Sequence, residues 1–173
     1  MKKLLLSGLL FAASFVPATA QETENEVKVN LLGLLTGLPD MSYERILNDK
    51  TGLGLSLGMG LKNRSHYQDH YRYVLFPYYR YYFGHKHAGG FFLEGHASII
   101  SAKKDLADDA KTQEKFKPYF GLGAAIGIKV FNKKGYLAEG YAGLGKQLNV
   151  NENLRHKSLN LYPRIGISVG KRF

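Results

Sequence analysis

A chain of 173 residues with no cysteine and a formal net charge of +10 has room for one domain, not for a barrel plus a separate soluble module. The missing cysteines exclude a disulfide framework and the lipid-modified cysteine of a bacterial lipoprotein. Basic residues are spread along the sequence rather than gathered in one patch, which argues against nucleic-acid binding and leaves attraction to anionic lipid head groups as the physical sense of the charge.

The first twenty residues read as a secretory signal peptide. Lys2 and Lys3 form the charged start, residues 4–16 the apolar stretch, and Ala18, Thr19 and Ala20 a small-residue cleavage site. Cleavage there leaves residues 21–173 as a single expected domain. The apolar stretch is too short for a membrane-spanning helix, which needs about 20 residues, and no later segment comes close. Any membrane span must therefore be built from strands.

After the signal, period-two alternation recurs in segments separated by turn residues, the pattern of a transmembrane barrel. The predicted strands are residues 27–35, 40–47, 51–62, 73–83, 91–101, 117–131, 136–147 and 159–173, an even number. In the third, Leu53, Leu55, Leu57, Met59 and Leu61 alternate with Gly52, Gly54, Ser56, Gly58, Gly60 and Lys62. In the last, Leu159, Leu161, Pro163, Ile165, Ile167, Val169 and Phe173 share a face interrupted only by Lys171, opposite Asn160, Tyr162, Arg164, Gly166, Ser168, Gly170 and Arg172. The fold expected is an all-β, eight-stranded, antiparallel up-and-down transmembrane barrel.

Connection lengths agree. With both termini periplasmic, the turns at 48–50, around 85–89 and at 133–135 are short, and Gly135 suits a three-residue hairpin turn. The outward loops 63–72, 103–115 and 148–157 are longer and more polar, and only the first outward connection, near 36–39, is short. These three loops are the candidate contact surface for an extracellular protein or glycan. Tyr73, Tyr79, Tyr81 and Phe83 lie on the apolar parity of their strand, and Phe91, Tyr136 and Phe173 at strand ends, as interfacial girdles require.

The same alternation permits a soluble lipocalin-like carrier, with leucines inside around an apolar ligand and glycines in water. Glycine favours the membrane barrel: it weakens a solvated strand without benefit, but relieves crowding inside a narrow barrel. Parity then places Glu44, Arg80, Glu94, Lys129, Glu139 and Arg172 on the inner face near the periplasmic end. Hairpin geometry sets Arg80 opposite Glu94 and Lys129 opposite Glu139. Buried charges are tolerable when paired, so a neutral ion network closing that half is expected, with a small water-filled lumen as the alternative. Eight strands are too few for a general porin.

One constellation resembles a catalytic site: Glu94, His96 and Ser98 share a face at two-residue spacing. Parity puts them in the lumen, and neighbours at that spacing stand about 6–7 Å apart along a strand. A polar lumen lining is expected rather than an enzyme. The pairs His66 and His70, and His85 with His87, have no supporting carboxylate spacing, so no metal is expected. The Gly-x-Gly runs lie within strands and form no phosphate loop, and no cofactor is expected.

The run VNLLGLLTGLPDMSYE from Val29 to Glu44, the glycine–leucine strand, the YYRYYF block and the terminal Phe173 together resemble small eight-stranded Gram-negative outer-membrane barrels of the OmpA and OmpX class, an uncharacterised family among them. The resemblance covers nearly all of residues 21–173. It implies a cell outer-membrane location, contact with membrane lipid and lipopolysaccharide, and handling by the barrel-assembly machinery through Phe173, although Lys171 departs from the apolar residue that signal prefers. It also implies a structural or surface-contact role in envelope integrity, adhesion, or glycolipid and partner binding. His96 and Ser98 are similar to the His-x-Ser pair of outer-membrane lipid A deacylases, which makes a lipid A-modifying hydrolase an alternative. That family's site faces lipid and has a further carboxylate, and both features are missing here.

Overall fold

The computed structural model describes residues 24–60, 71–103, 116–148 and 161–173. The expected signal peptide, most of the three long outward connections and the pair His66 and His70 lie outside the described residues. The elements are β1 (Asn25–Asn30), α1 (Leu31–Thr36), β2 (Asp40–Asn48), β3 (Thr51–Met59), β4 (Tyr71–Tyr82), β5 (Gly90–Lys103), β6 (Phe116–Phe131), β7 (Tyr136–Gln147) and β8 (Leu161–Arg172). The strands close into an eight-stranded barrel in chain order, with β1 antiparallel to β8. Closure leaves no free sheet edge over the paired region.

The expected alternation holds, with apolar side chains outward. Leu53, Leu55, Leu57 and Met59 on β3 and Ile165, Ile167 and Val169 on β8 are exposed, while Ser56, Tyr162, Arg164 and Ser168 are buried. The soluble-carrier alternative needed the reverse arrangement, leucines inside and polar groups in water. Inward aromatic rings lie flat over glycines of the neighbouring strand. Tyr78 is the register partner of Gly54, and Tyr162 that of Gly145. A Cβ at Gly54 or Gly145 would stand 2.2 or 2.1 Å from the facing ring carbon Cζ. The inward glycines are thus the space into which the rings fold.

Residues 31–35, expected to continue the first strand, instead form the short helix α1. Asn30 ends β1 and caps the helix, its Oδ1 accepting from the N–H of Leu32 at 3.1 Å and of Gly33 at 3.2 Å. Gly37, with φ at 83°, closes it in the left-handed conformation. Leucines at 31, 32, 34 and 35 satisfy helical spacing as well as a continuous apolar strand, and the Asn and Gly caps decide between them.

The short hairpin turns are tightly held. Asn132 Oδ1 accepts from Lys134 N at 2.9 Å and Tyr136 N at 3.0 Å, and Gly135 takes φ of 83°. Between β4 and β5 the chain tucks Ala88 fully into the barrel end, with its N–H donating to Asp49 O at 2.7 Å. His87 Nδ1 lies 2.6 Å from Asp49 Oδ1, which ties this turn to the one before it.

Because Tyr78 occupies the space above Gly54, Gly54→Val is expected to destabilise the barrel by about 1–3 kcal/mol. Leu55→Val, one residue along on the outward face, is expected to cost no more than about 1 kcal/mol. Urea unfolding of the full chain in lipid vesicles measures both.

Candidate functional site

The strands deliver their inward charges to one cross-section of the barrel. β1 brings Glu26 and Lys28, β2 Glu44, β4 Arg80, β5 Glu94, β6 Lys129, β7 Glu139, and β8 Arg164 and Arg172; all are buried. Such charges in a low-dielectric space persist only with full pairing and hydrogen bonding, and the contacts meet that condition.

Arg80 is the hub. Its Nε donates to Glu94 Oε2 at 2.9 Å, Nη1 to Glu44 Oε2 at 3.1 Å and to Glu139 Oε2 at 2.7 Å, and Nη2 to Glu139 Oε1 at 3.2 Å. Its guanidinium stacks 4.2 Å from the Phe92 ring centroid and 4.6 Å from that of Tyr78. Lys28 Nζ reaches Glu44 at 2.5 Å and Glu139 at 3.1 Å. Lys129 Nζ reaches Glu26 at 2.6 Å and Glu44 at 3.1 Å, and also bonds the Tyr82 hydroxyl. Glu44 further accepts from the hydroxyls of Tyr78 at 3.2 Å and Tyr82 at 2.5 Å. Arg164 Nε donates to Glu94 Oε1 at 2.5 Å. At the rim, Arg172 clamps Glu26 Oε1 through Nε at 2.8 Å and Nη2 at 2.6 Å, and donates to the carbonyls of His87 and Ala88.

All six residues expected in the network are in it, and the backbone register pairs Arg80 with Glu94 and Lys129 with Glu139 as the hairpins required. Two features differ from expectation. Lys129 extends past its register neighbour to Glu26 and Glu44, because long side chains bridge strands far apart around a narrow ring. The network also takes in Glu26, Lys28 and Arg164, so that five bases meet four glutamates rather than three meeting three, and the set carries one excess base instead of the expected neutrality. Glu26 precedes the predicted start of the first strand. Arg164 lies mid-strand, and only its length brings it to Glu94. The in/out parity of β1 and β8 was the signal that finds all three.

Glu94, His96 and Ser98 do share the lumen wall, buried. Glu94 is engaged by Arg80 and Arg164, and stands 3.4 Å from His96 Nδ1. Neither imidazole nitrogen nor Ser98 Oγ makes a hydrogen bond, so the serine–histidine bond that activates a nucleophile is not formed. Phe173 pairs with Asn25 through both backbone bonds, at 3.0 and 2.8 Å, and its ring is exposed at the barrel rim. Among the described residues no cluster of three or more His, Cys, Asp or Glu side chains is arranged to hold a metal ion.

An apolar exterior, chain-order closure and a packed ionic lumen define a small eight-stranded barrel of the outer-membrane type. Its fold is similar to the crystal structure of the N-terminal β-barrel domain of Pseudomonas aeruginosa OprF, with a TM-score of 0.55 and 14% identity over 88% of this chain and 98% of that one. Residues 6–159 match the family described as protein of unknown function (DUF3575), and the chain belongs to that family. No curated protein matches it.

Removing the hub strands three glutamates. Arg80→Leu is expected to cost about 3–5 kcal/mol of stability, and a double-mutant cycle with Glu139→Gln to return a coupling of about 0.5–3 kcal/mol, both read from urea unfolding in vesicles.

Proposed function

We propose that the protein is exported through its N-terminal signal and resides in a Gram-negative outer membrane as a small closed barrel with a structural or surface-contact role, not as a diffusion porin. The observation that carries this reading is the contact of Lys129 with Glu44 at 3.1 Å. These residues stand on β6 and β2, four strands apart on either route around the ring, so the pair spans the lumen. Arg80 fills the space beside it. A solute path along the axis would have to break these pairs.

In this reading the exposed leucine and isoleucine bands face lipid, and terminal Phe173 is the residue offered to the barrel-assembly machinery. The outward connections 63–72, 103–115 and 148–157 carry any contact with lipopolysaccharide, glycan or a partner protein. The hydrolase alternative is not favoured, since His96 and Ser98 stand apart from lipid and from each other's hydrogen-bonding reach.

Fractionation tests the assignment. The protein is expected in the outer-membrane fraction, migrating faster in unboiled than in boiled gels; recovery from the soluble periplasm would overturn it. Vesicles carrying the purified protein are expected not to swell in small sugars, and swelling at porin-like rates would contradict a closed lumen.

A further inference from the structure

One charge on the outer wall belongs neither to the apolar band nor to the ion network. Lys171 is exposed on β8 in line with Ile165, Ile167 and Val169. Its register neighbours are Val27 on β1 and Tyr136 on β7, both outward and exposed, and its ammonium lies 5.7 Å from the centroid of the Tyr136 ring. A lysine at the margin of an apolar wall lays its methylenes along that wall and carries its charge to the polar side of the boundary.

The turn beside it is basic as well. Arg172 N donates to Gly135 O at 2.8 Å, so the β6–β7 turn, with exposed Lys133 and Lys134, sits against the end of β8. Lys50 and Lys86, also exposed, occupy the other two short hairpin turns, and the strand register brings all three turns to one end of the barrel. Besides these five lysines and Arg45, the charged groups exposed at that end among the described residues are the acids Glu24 and Asp49. Both acids are engaged: Glu24 pairs with Arg45 at 3.1 Å, and Asp49 lies 2.6 Å from His87 Nδ1. None of the five lysines has a carboxylate partner among the described residues, so this rim carries uncompensated positive charge.

The same end carries outward aromatics. Tyr81, Phe83, Phe91, Tyr136 and Phe173 are exposed at or beside their strand ends, where amphipathic rings of membrane barrels sit at head-group depth. Each of the five lysines is within three residues of one of these rings, along the chain or, for Lys50, through the pairing of Thr51 with Tyr81. That sets the ammonium groups near the depth of lipid phosphates. Lys171 decides between a lipid and a soluble acidic partner: it stands on the wall itself, between Val27 and Tyr136, where a molecule lying against the side of the barrel reaches it.

We propose that Lys133, Lys134 and Lys171 bind the phosphate of an anionic glycerophospholipid in the leaflet at the short-turn end, with its acyl chains along Val27 and Val169. The two turn lysines approach the phosphate from the aqueous side and Lys171 from the wall, and the Tyr136 ring packs on the glycerol region. A zwitterionic lipid brings its own ammonium to the phosphate, so a head group of net negative charge is preferred. Near an anionic surface each lysine contributes about 5-fold to such binding, and salt screens the effect. The inference rests on the membrane location proposed above and deepens it, by naming the lipid class and the residues that select it; with both termini periplasmic, the leaflet is the periplasmic one.

The test uses the full chain in phosphatidylcholine vesicles that contain, at equal mole fraction, either phosphatidylglycerol or phosphatidylcholine carrying a photoreactive group near the glycerol, with labelled residues mapped by mass spectrometry. Labelling of Tyr136, Lys171 and Phe173 by the phosphatidylglycerol probe is expected to exceed that by the phosphatidylcholine probe by about 3- to 10-fold at low salt, and to approach it at high salt. The combined variant Lys133→Gln, Lys134→Gln and Lys171→Gln is expected to remove most of the excess, and Lys171→Gln alone to lower it by about 2- to 5-fold. Lys146→Gln, which changes an exposed lysine at the other end of β7, is expected to leave it unchanged. Faster gel mobility before boiling establishes that each protein is inserted and folded. Equal labelling of the inserted wild type by both probes, or an excess that survives the combined variant, would overturn this inference alone; a wild type that inserts into no vesicle would overturn the membrane location with it.

Discussion

One guanidinium organises the interior. Arg80 binds Glu44, Glu94 and Glu139 together, carboxylates that come from three different strands and that repel one another without it. A buried arginine with three acceptors holds because its planar fork supplies donors in several directions at once. The rings of Tyr78 and Phe92 cover its faces, and they find room because Gly54 and Gly127 stand opposite them in register. Inner glycines, aromatic rings and the charge network are therefore one packing solution. A larger residue at the glycines displaces the rings, and displaced rings expose the charges.

This coupling explains why a barrel with so polar a centre needs no covalent staple. The backbone is satisfied by closure, as spanning structures require, and the outward leucines, isoleucines and valines match a hydrocarbon environment. The lumen, unable to hold bulk water at this diameter, is filled instead by ion pairs reaching across it. Lys28 and Lys129 add the second tier, sharing Glu44 and bringing in Glu26 and Glu139, and Arg172 fastens that tier to the turn between β4 and β5 that caps this end of the barrel. At the other end of the lumen the wall is lowered by the early end of β1, and a cavity lined by Val74, Phe76, Ile100 and Tyr162 opens there.

Much of this was legible in residue order. Period-two alternation locates the strands from β2 to β7 within a few residues, and hairpin centres are enough to set Arg80 beside Glu94 in register. Two kinds of information were not local. The helix α1 hides in a leucine run that suits either period, and only the Asn30 and Gly37 caps separate the readings. The partners of Lys28, Lys129 and Arg164 depend on which strands face each other across the closed ring, and a side chain that bridges three or four strands leaves no mark in sequence spacing. Parity told which side chains point inward, while closure decided whom they meet.

The account stands on the ionic cross-section being shut. Single-protein conductance in planar bilayers tests it most directly, with the wild type beside Glu139→Gln, which removes the charge that Arg80 and Lys28 share. The wild type should show no steady conductance and the variant should show discrete openings. Steady conductance through the wild type, at a level the variant does not change, would contradict a lumen closed by these pairs.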